Sequence, residues 1–380
     1  MENFTAYNPT KLHFGKHVID KLPDALQNTG KNVLLITGQG SVKKFGYYDQ
    51  VIEKLREAGK HTIEFSGIKP NPVVDDAEKA VALAKKNQID AIVALGGGSV
   101  IDTAKMVNMA YANDLPVWKI MKRKVEPVKK IPLFVVLTLA ATGTEMNGAA
   151  VLQNHRTQEK IGYFSPLMYP DVSFLDPTYT LSVPKNQTIN GIIDLIAHSL
   201  EAFFSGGLAP LSDRIVAANI LETFDYAPTL LNNLKDYNLR ARMMWTATIA
   251  ENGTTMHGRS TSGDWGTHAL AHHISLLWDT PHGQTLSVMF PAWMKAMQPK
   301  INERLQQLGF LLTGKPIKAD KTIAIFEEFF GKIGAPIRFD QLGLKSQDKQ
   351  KLLNLWLKNK PTGMNIILDD KDYQNIISYL

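Results

Sequence analysis

The sequence predicts an α/β domain with a parallel sheet over residues 1–182 and an all-helical domain over 183–380. Three observations carry this. At 380 residues and 44% hydrophobic content the chain exceeds what one core usually serves. Through its first half, short apolar runs alternate with segments of helical spacing, which is the rhythm of a sheet covered by helices on both faces. Beyond "SVPKNQTING" the strand signal fades and only helical patterns remain, with Pro177 and Pro184 punctuating the change.

In chain order, "KLHFG" (11–15) reads as an edge strand. "NVLLIT" (32–37) is a β-branched run, "VKKFGYYDQVIEKLREAGK" (42–60) is helical, and "HTIEFSG" alternates. "DDAEKAVALAKKNQ" (75–88) is helical again and "IDAIVALGGG" (89–98) is a buried strand, giving a Rossmann-like βαβαβ series. After a basic connector near 116–130, "IPLFVVLTLAATGT" supplies a strand and a polar loop, and "DVSFLD" (171–176) one more strand. Helical patterns then run through 187–204, 211–232, 238–256, 265–277, 286–298 and 320–332. No internal repeat or low-complexity tract interrupts them.

Composition removes several kinds of chemistry. With no cysteine, disulfides, thiol nucleophiles, iron–sulfur clusters and cysteine-bound zinc are excluded, so any metal must use His, Asp or Glu. The net charge of +6 is spread out, with "KRK" at 122–124 its densest cluster, which argues against a nucleic-acid partner. No run approaches the roughly 18 apolar residues of a membrane span, and the first residues lack the order of a secretory signal. A cytoplasmic protein without a membrane partner is expected.

Two turns after strands suit phosphate. "TGQGSVKK" (37–44) opens a helix whose free N–H groups favour an anion, yet it matches neither GxGxxG nor a Walker sequence. The same turn fits an ordinary helix start with exposed lysines. It offers Gly38, Gly40, Ser41, Lys43 and Lys44 and no acid, a composition that tolerates a 2′-phosphate where an NAD site would place a carboxylate. "GGGSVIDTAK" (96–105) is stronger: three glycines admit a pyrophosphate close to the backbone, and Ser99 with Asp102 spells a capping box. "TLAATGTEMN" (138–147) is a third polar loop after a strand, with hydroxyls at Thr138, Thr142 and Thr144.

A metal centre is suggested by "NGIIDLIAHSLEAFF" (190–204), where Asp194 and His198 interrupt an apolar helix. Four residues bring a helix nearly back to one face, with about 6 Å of rise, so both side chains reach one cation; a buried ion pair would use the same spacing. "GTHALAHHISLLWDTPHGQ" (266–284) then carries His268, His272, His273 and His282, four of the ten histidines within fifteen positions. One carboxylate with several imidazoles is a ligand set for a first-row divalent metal. "HALAH" lacks the glutamate of HExxH, which weakens a hydrolytic reading.

The motifs "GGGSVIDTAK", "TGTEMN", "FLDP", "GIIDLIAHSLEAF" and "HALAHHI…DTPHGQ", in this order and spacing, resemble the group III, iron-containing alcohol dehydrogenases, and most of all their NADPH-linked butanol dehydrogenase and aldehyde reductase branch. The resemblance spans roughly residues 10 to 380 and implies the architecture shared with dehydroquinate synthase and glycerol dehydrogenase. It implies Asp194, His198, His268 and His282 as ligands of one divalent metal, Fe2+ or Zn2+, and His272 as a proton relay. For the coenzyme it implies Gly97, Gly98, Ser99 and Asp102 at the pyrophosphate, Thr138 at the adenine and phosphate loop, Asn71 beside the adenosine, and Asn147 and Lys160 at ribose and nicotinamide. Gly38 stands where NAD-specific members carry an aspartate, and with Ser41 in the following "GSVKK" it resembles the NADP-using branch. Thr144 replaces the family's serine, and His273 has no implied role.

The implied reaction is reversible hydride transfer between NADP(H) and a small primary alcohol or aldehyde, in a homodimer, with the cation in a cleft between the two domains. Alternatives are an NAD(H)-linked polyol dehydrogenase of the same fold, a metal-dependent hydrolase or lyase, and a non-catalytic NADP-binding protein.

Overall fold

The computed structural model describes residues 1–380. They form two compact units: one comprises residues 7–183 and 234–248, the other residues 1–6, 184–233 and 249–380. A single cut at 182/183 therefore misplaces two segments, the first six residues and most of the helix Tyr237–Glu251.

The first unit is built on a six-stranded parallel sheet: β1 (Lys11–Phe14), β2 (Asn32–Gly38), β3 (His61–Ile68), β4 (Ala91–Gly96), β5 (Leu133–Leu137) and β8 (Val172–Leu175), in the spatial order β1-β8-β5-β4-β2-β3. Strands β2, β4, β5 and β8 are apolar in nearly every position because both faces are covered. One face packs Val33, Leu35, Val93, Leu95, Phe134, Val136 and Phe174 against Val51 and Leu55 of the helix Tyr47–Glu57. Strand β3 lies on one side of β2, and β4, which follows it in sequence, lies on the other. That reversal is a topological switch point, and the carboxyl ends of β2 and β4 are where a ligand crevice forms in such sheets.

A separate antiparallel hairpin, β6 (Ala149–Asn154) and β7 (Glu159–Phe164), stands outside the main sheet in a stretch where the sequence reading set no strand. Its first strand, "AAVLQN", carries few β-branched residues, so local propensity does not announce it. Strand β1 holds the edge position that the sequence suggested.

The second unit is helical. Its helices are Lys185–Phe204, Pro210–Asn232, Gly266–Trp278, His282–Thr313, Ala319–Lys332, Ser346–Asn359 and Asp370–Tyr379. The fifth pattern read from sequence, 286–298, continues much further: Pro291 and Pro299 are accommodated inside His282–Thr313, which kinks at the non-helical Ile301 (φ −124°) and resumes beyond it. The last two helices fall in a stretch where the sequence patterns predict none. No helix is long and apolar enough to cross a membrane.

Candidate metal centre and coenzyme turns

In Lys185–Phe204 every residue from Gly191 to Phe204 is buried. Leu195, Ile196, Leu200 and Phe203 are fully enclosed, each contributing about 1.5–3 kcal/mol. Asp194 and His198 share that interior at 3% and 8% exposure. A buried carboxylate is costly unless paired or metal-bound, so its neighbours decide what it does. His282 Nε2 and His198 Nδ1 each lie 3.7 Å from Asp194 Oδ1, too far for hydrogen bonds and suited to flanking a common cation.

One donor atom each from Asp194, His268 and His282 lies within 4.8 Å of the other two. His198 is outside that tightest group but adjoins it, its ring 4.8 Å from that of His268. His198 Nδ1 is buried with no hydrogen-bond partner, and burial, with the His268 charge, holds the imidazole well below its usual pKa. A neutral ring with an unused nitrogen is the form a metal takes. One carboxylate and three imidazoles without sulfur therefore fit a divalent first-row ion.

Convergence depends on a close approach. Pro281 caps the helix His282–Thr313, and a Cβ on Gly283 would lie 2.4 Å from the carbonyl oxygen of Asn190 and 2.6 Å from its Cα. Glycine thus lets the first turn of that helix abut the helix carrying Asp194, which delivers His282. His272 follows one turn after His268, buried, its ring 5.2 Å from that of His282. His273 points elsewhere: Nδ1 meets the Ala269 carbonyl at 2.9 Å and Nε2 meets Asn359 Nδ2 at 3.1 Å, and burial pulls its pKa down to about 4. It is a neutral packing residue with both nitrogens engaged.

One further residue of the helix Lys185–Phe204 joins the site. Glu201, seven places after Asp194, is 1% exposed, lies 2.8 Å from His268 Nδ1, and accepts from the His268 amide at 3.0 Å and the Trp265 amide at 2.5 Å. Burial pushes its carboxyl up to about 8, with the two amides pulling the other way. Its spacing from Asp194 and His198 keeps all three on one helical face, the only signal the sequence offered.

In the sheet unit, the turns after β2 and β4 flank the switch point. Gly97 caps the helix Gly98–Asn113 in extended conformation, and no side chain caps it. The capping box read from Ser99 and Asp102 does not form, because Gly97 takes the cap position and Asp102 faces away: its Oδ1 accepts from Thr144 Oγ1 at 2.7 Å and its Oδ2 from the Val151 amide at 2.9 Å. Nor do ligands alone explain the glycines. A Cβ at Gly98 would lie 2.7 Å from Thr142 Oγ1, and one at Gly96 would strike Val100. Gly97 and Ser99 remain half-buried at the helix start, where free amides favour phosphate.

Beneath this turn lies a fully buried ammonium that sequence reading missed. Lys105 Nζ donates to Thr144 Oγ1, to the Asn147 and Ala149 carbonyls and to Asn147 Oδ1, all within 3.0 Å. Asn147 thus braces the loop from within. Thr138 donates its amide to the Gly96 carbonyl, joining the third loop to the glycine turn. Asn71, buried with φ +54°, accepts from Lys160 Nζ at 2.8 Å, which joins the hairpin to the segment after β3.

At the end of β2, a Cβ on Gly38 would meet nothing closer than 3.6 Å, so the fold does not demand glycine there. Ser41 opens the short helical turn that follows. Lys43 turns to an acid that the sequence reading of this turn did not include, Glu64 on β3, at 2.6 Å, and Tyr48 donates to the same carboxylate at 2.9 Å.

Known proteins match the chain over nearly its whole length. Residues 9–177 match the family described as "Iron-containing alcohol dehydrogenase", and residues 188–377 its C-terminal counterpart, "Fe-containing alcohol dehydrogenase family, C-terminal". The chain is 38% identical to a probable NADH-dependent butanol dehydrogenase 1 of Bacillus subtilis (strain 168), over 99% of each chain. It is 33% identical to the NADPH-dependent aldehyde reductase YqhD of Escherichia coli (strain K12), over 93% of this chain and 92% of that one. A crystal structure of NADH-dependent butanol dehydrogenase A from Thermotoga maritima superposes with a TM-score of 0.95 at 37% identity, covering 100% of this chain and 98% of that one.

Proposed function

The chain belongs to the iron-containing alcohol dehydrogenase family and is an oxidoreductase, and on that premise we propose that it transfers a hydride reversibly between NADP(H) and a small primary alcohol or its aldehyde, of the butanol and butyraldehyde kind. The observation that carries the reading is the convergence of Asp194, His268 and His282 within 4.8 Å, with the neutral His198 beside them.

These four residues would hold one divalent cation, iron or zinc. When bound, that ion supplies Lewis acidity to the carbonyl group of the aldehyde. Asp194 brings the only carboxylate among the four, so the set leaves a dication with net positive charge. His272, beside His282, would carry the proton to and from the carbinol oxygen. Gly97, Gly98 and Ser99 would take the pyrophosphate on backbone amides, with Asp102, Lys105 and Thr144 holding that turn in shape. Asn71, Thr138, Asn147 and Lys160 would border the rest of the coenzyme, as the resemblance implies. A homodimer would add its second copy at the edge strand β1.

The choice of NADP(H) rests on Gly38, where a side chain would fit and none is present, and on Ser41. NAD(H) is the second reading: Lys43 is neutralised by Glu64, and relatives at 38% identity are named as NADH-dependent.

The test measures bound metal and NADPH-dependent butyraldehyde reduction in Asp194→Ala and His268→Ala. Loss of the ion together with at least about a thousandfold loss of kcat/KM is expected, since removing one charge-stabilising group alone costs 10²–10³. Full activity with undiminished metal in both variants overturns the proposal. A higher kcat/KM with NADH than with NADPH overturns the coenzyme assignment alone.

A further inference from the structure

We propose that Glu201 is the positioning residue of the metal centre, fixing His268 with Nδ1 protonated and Nε2 presented to the cation while tying down Trp265 at the edge of the site. The inference rests on the metal reading above and deepens it.

The carboxylate has an unusual set of partners for a residue at 1% exposure. The His268 amide reaches Oε1 at 3.0 Å and the Trp265 amide reaches Oε2 at 2.5 Å. Amides only donate, so both oxygens face the region as acceptors. With a cation on Nε2 the His268 ring keeps its proton on Nδ1, and Glu201 Oε1, 2.8 Å away, is the acceptor for it once the carboxyl is ionised beside that charge. A histidine that gives its Nδ1 proton to a carboxylate keeps a lone pair on Nε2, and the same contact sets the plane of the ring.

Trp265 shows what else the carboxylate holds. Its backbone lies at φ +66°, a left-handed conformation that a bulky side chain adopts only under constraint. In that conformation it caps the helix Gly266–Trp278 and sets its indole edge-on to His198 and His268, with centroids 6.0 and 5.4 Å away. Glu201 therefore orders a ligand and the aromatic wall beside it, and its own place is fixed by the helix that carries Asp194 and His198.

The test uses full-length protein stripped of metal and reloaded with zinc or cobalt(II). For Glu201→Gln, zinc affinity measured against a chromophoric chelator is expected to fall about 10–100-fold, and the cobalt(II) visible bands to move in wavelength. A carboxylate that merely braced the fold would lower the unfolding midpoint of the stripped protein and leave those bands in place, which overturns the proposal. A second measurement needs no variant. Long-range 1H–15N correlation of histidine-labelled, zinc-loaded wild type should show His268 protonated at Nδ1 and coordinated through Nε2; the opposite tautomer overturns the proposal even where Glu201→Gln does not fold. If the wild type takes up neither ion, the metal reading falls and this inference with it. Wild-type uptake with an unchanged variant removes this inference alone.

Discussion

In the helical unit the candidate metal centre is made of side chains, carried by three helices whose rigidity fixes where each points; in the sheet unit the candidate coenzyme turns are made of backbone, at the ends of β2 and β4, with side chains standing behind them. Asp194, His198 and Glu201 share one face because a helix repeats about every 3.6 residues. Gly97 and Gly98 offer amides, while the residues that hold them, Asp102, Lys105, Thr144 and Asn147, come from segments some forty positions apart. A site of the first kind fails when a helix moves. One of the second kind tolerates change at any single exposed side chain, because none of them carries it.

Outside the ligand set itself, the largest effect should come from Gly283→Ala. The added methyl would sit 2.4 Å from a backbone oxygen and 2.6 Å from a Cα, neither of which can rotate away, so the helix start must shift and take His282 with it. Overpacking of this kind costs about 1–3 kcal/mol of stability, and a displacement of about 1 Å at a site costs about a hundredfold in rate. Metal content and kcat/KM should fall together by that order, read by elemental analysis and steady-state kinetics. A variant retaining both would show that the convergence does not depend on this contact.

The same contrast between pattern and partners decides how much could be read in advance. Asp194 and His198 stand out in sequence because four-residue spacing on a helix is itself a pattern, and His268 and His282 because histidines crowd that stretch, while their joining into one ligand set is what the resemblance implies. Glu201 shares the helical face of Asp194 and His198 and still escapes notice, since a glutamate near a helix end is most often solvated. Lys105 and Glu64 were out of reach for another reason: their meaning lies in partners brought by the fold, Thr144 and Asn147 for one, Lys43 and Tyr48 for the other. The turn at 37–44 looked free of acid only because the acid is on the next strand. The hairpin β6–β7 escaped because "AAVLQN" has no strong strand propensity, and the segment 234–248 because joining one unit or the other leaves no mark on periodicity.

A middle-sized effect separates His273 from the other histidines of its helix. Its folded pKa is about 4 against an ordinary 6.5, so below pH 6.5 the unfolded chain takes a proton there that the folded chain refuses. Stability from this group is complete above pH 6.5 and declines as pH falls toward 4. At pH 5 the loss is about 2 kcal/mol. His273→Gln, which can keep one donor and one acceptor, should flatten the fall in urea midpoint between pH 7 and pH 5 relative to wild type. An unchanged slope would mean that this ring does not report on folding.

The smallest effect is expected at the residue whose charge looked most relevant to the coenzyme. Lys43 faces Glu64 in a partly exposed pair, its side chain about half accessible, and such pairs are worth about 0–1 kcal/mol. If Lys43 is committed to that carboxylate, Lys43→Ala should change the ratio of kcat/KM for NADPH over NADH by less than about threefold. A lysine that bound the 2′-phosphate directly would make a charged hydrogen bond of about 1.5–3 kcal/mol, and its loss would cost NADPH roughly 10–100-fold. Gly38→Asp supplies the contrast on the same turn: the space accepts the side chain, with the nearest atom at 3.6 Å from its Cβ, and the new charge should repel a 2′-phosphate while leaving NADH nearly untouched. A large effect at 38 with a small one at 43 would mean that coenzyme choice is set by what the end of β2 lacks. The reverse order would mean that Lys43 leaves Glu64 when the coenzyme binds, and that this side chain contributes directly to the phosphate site.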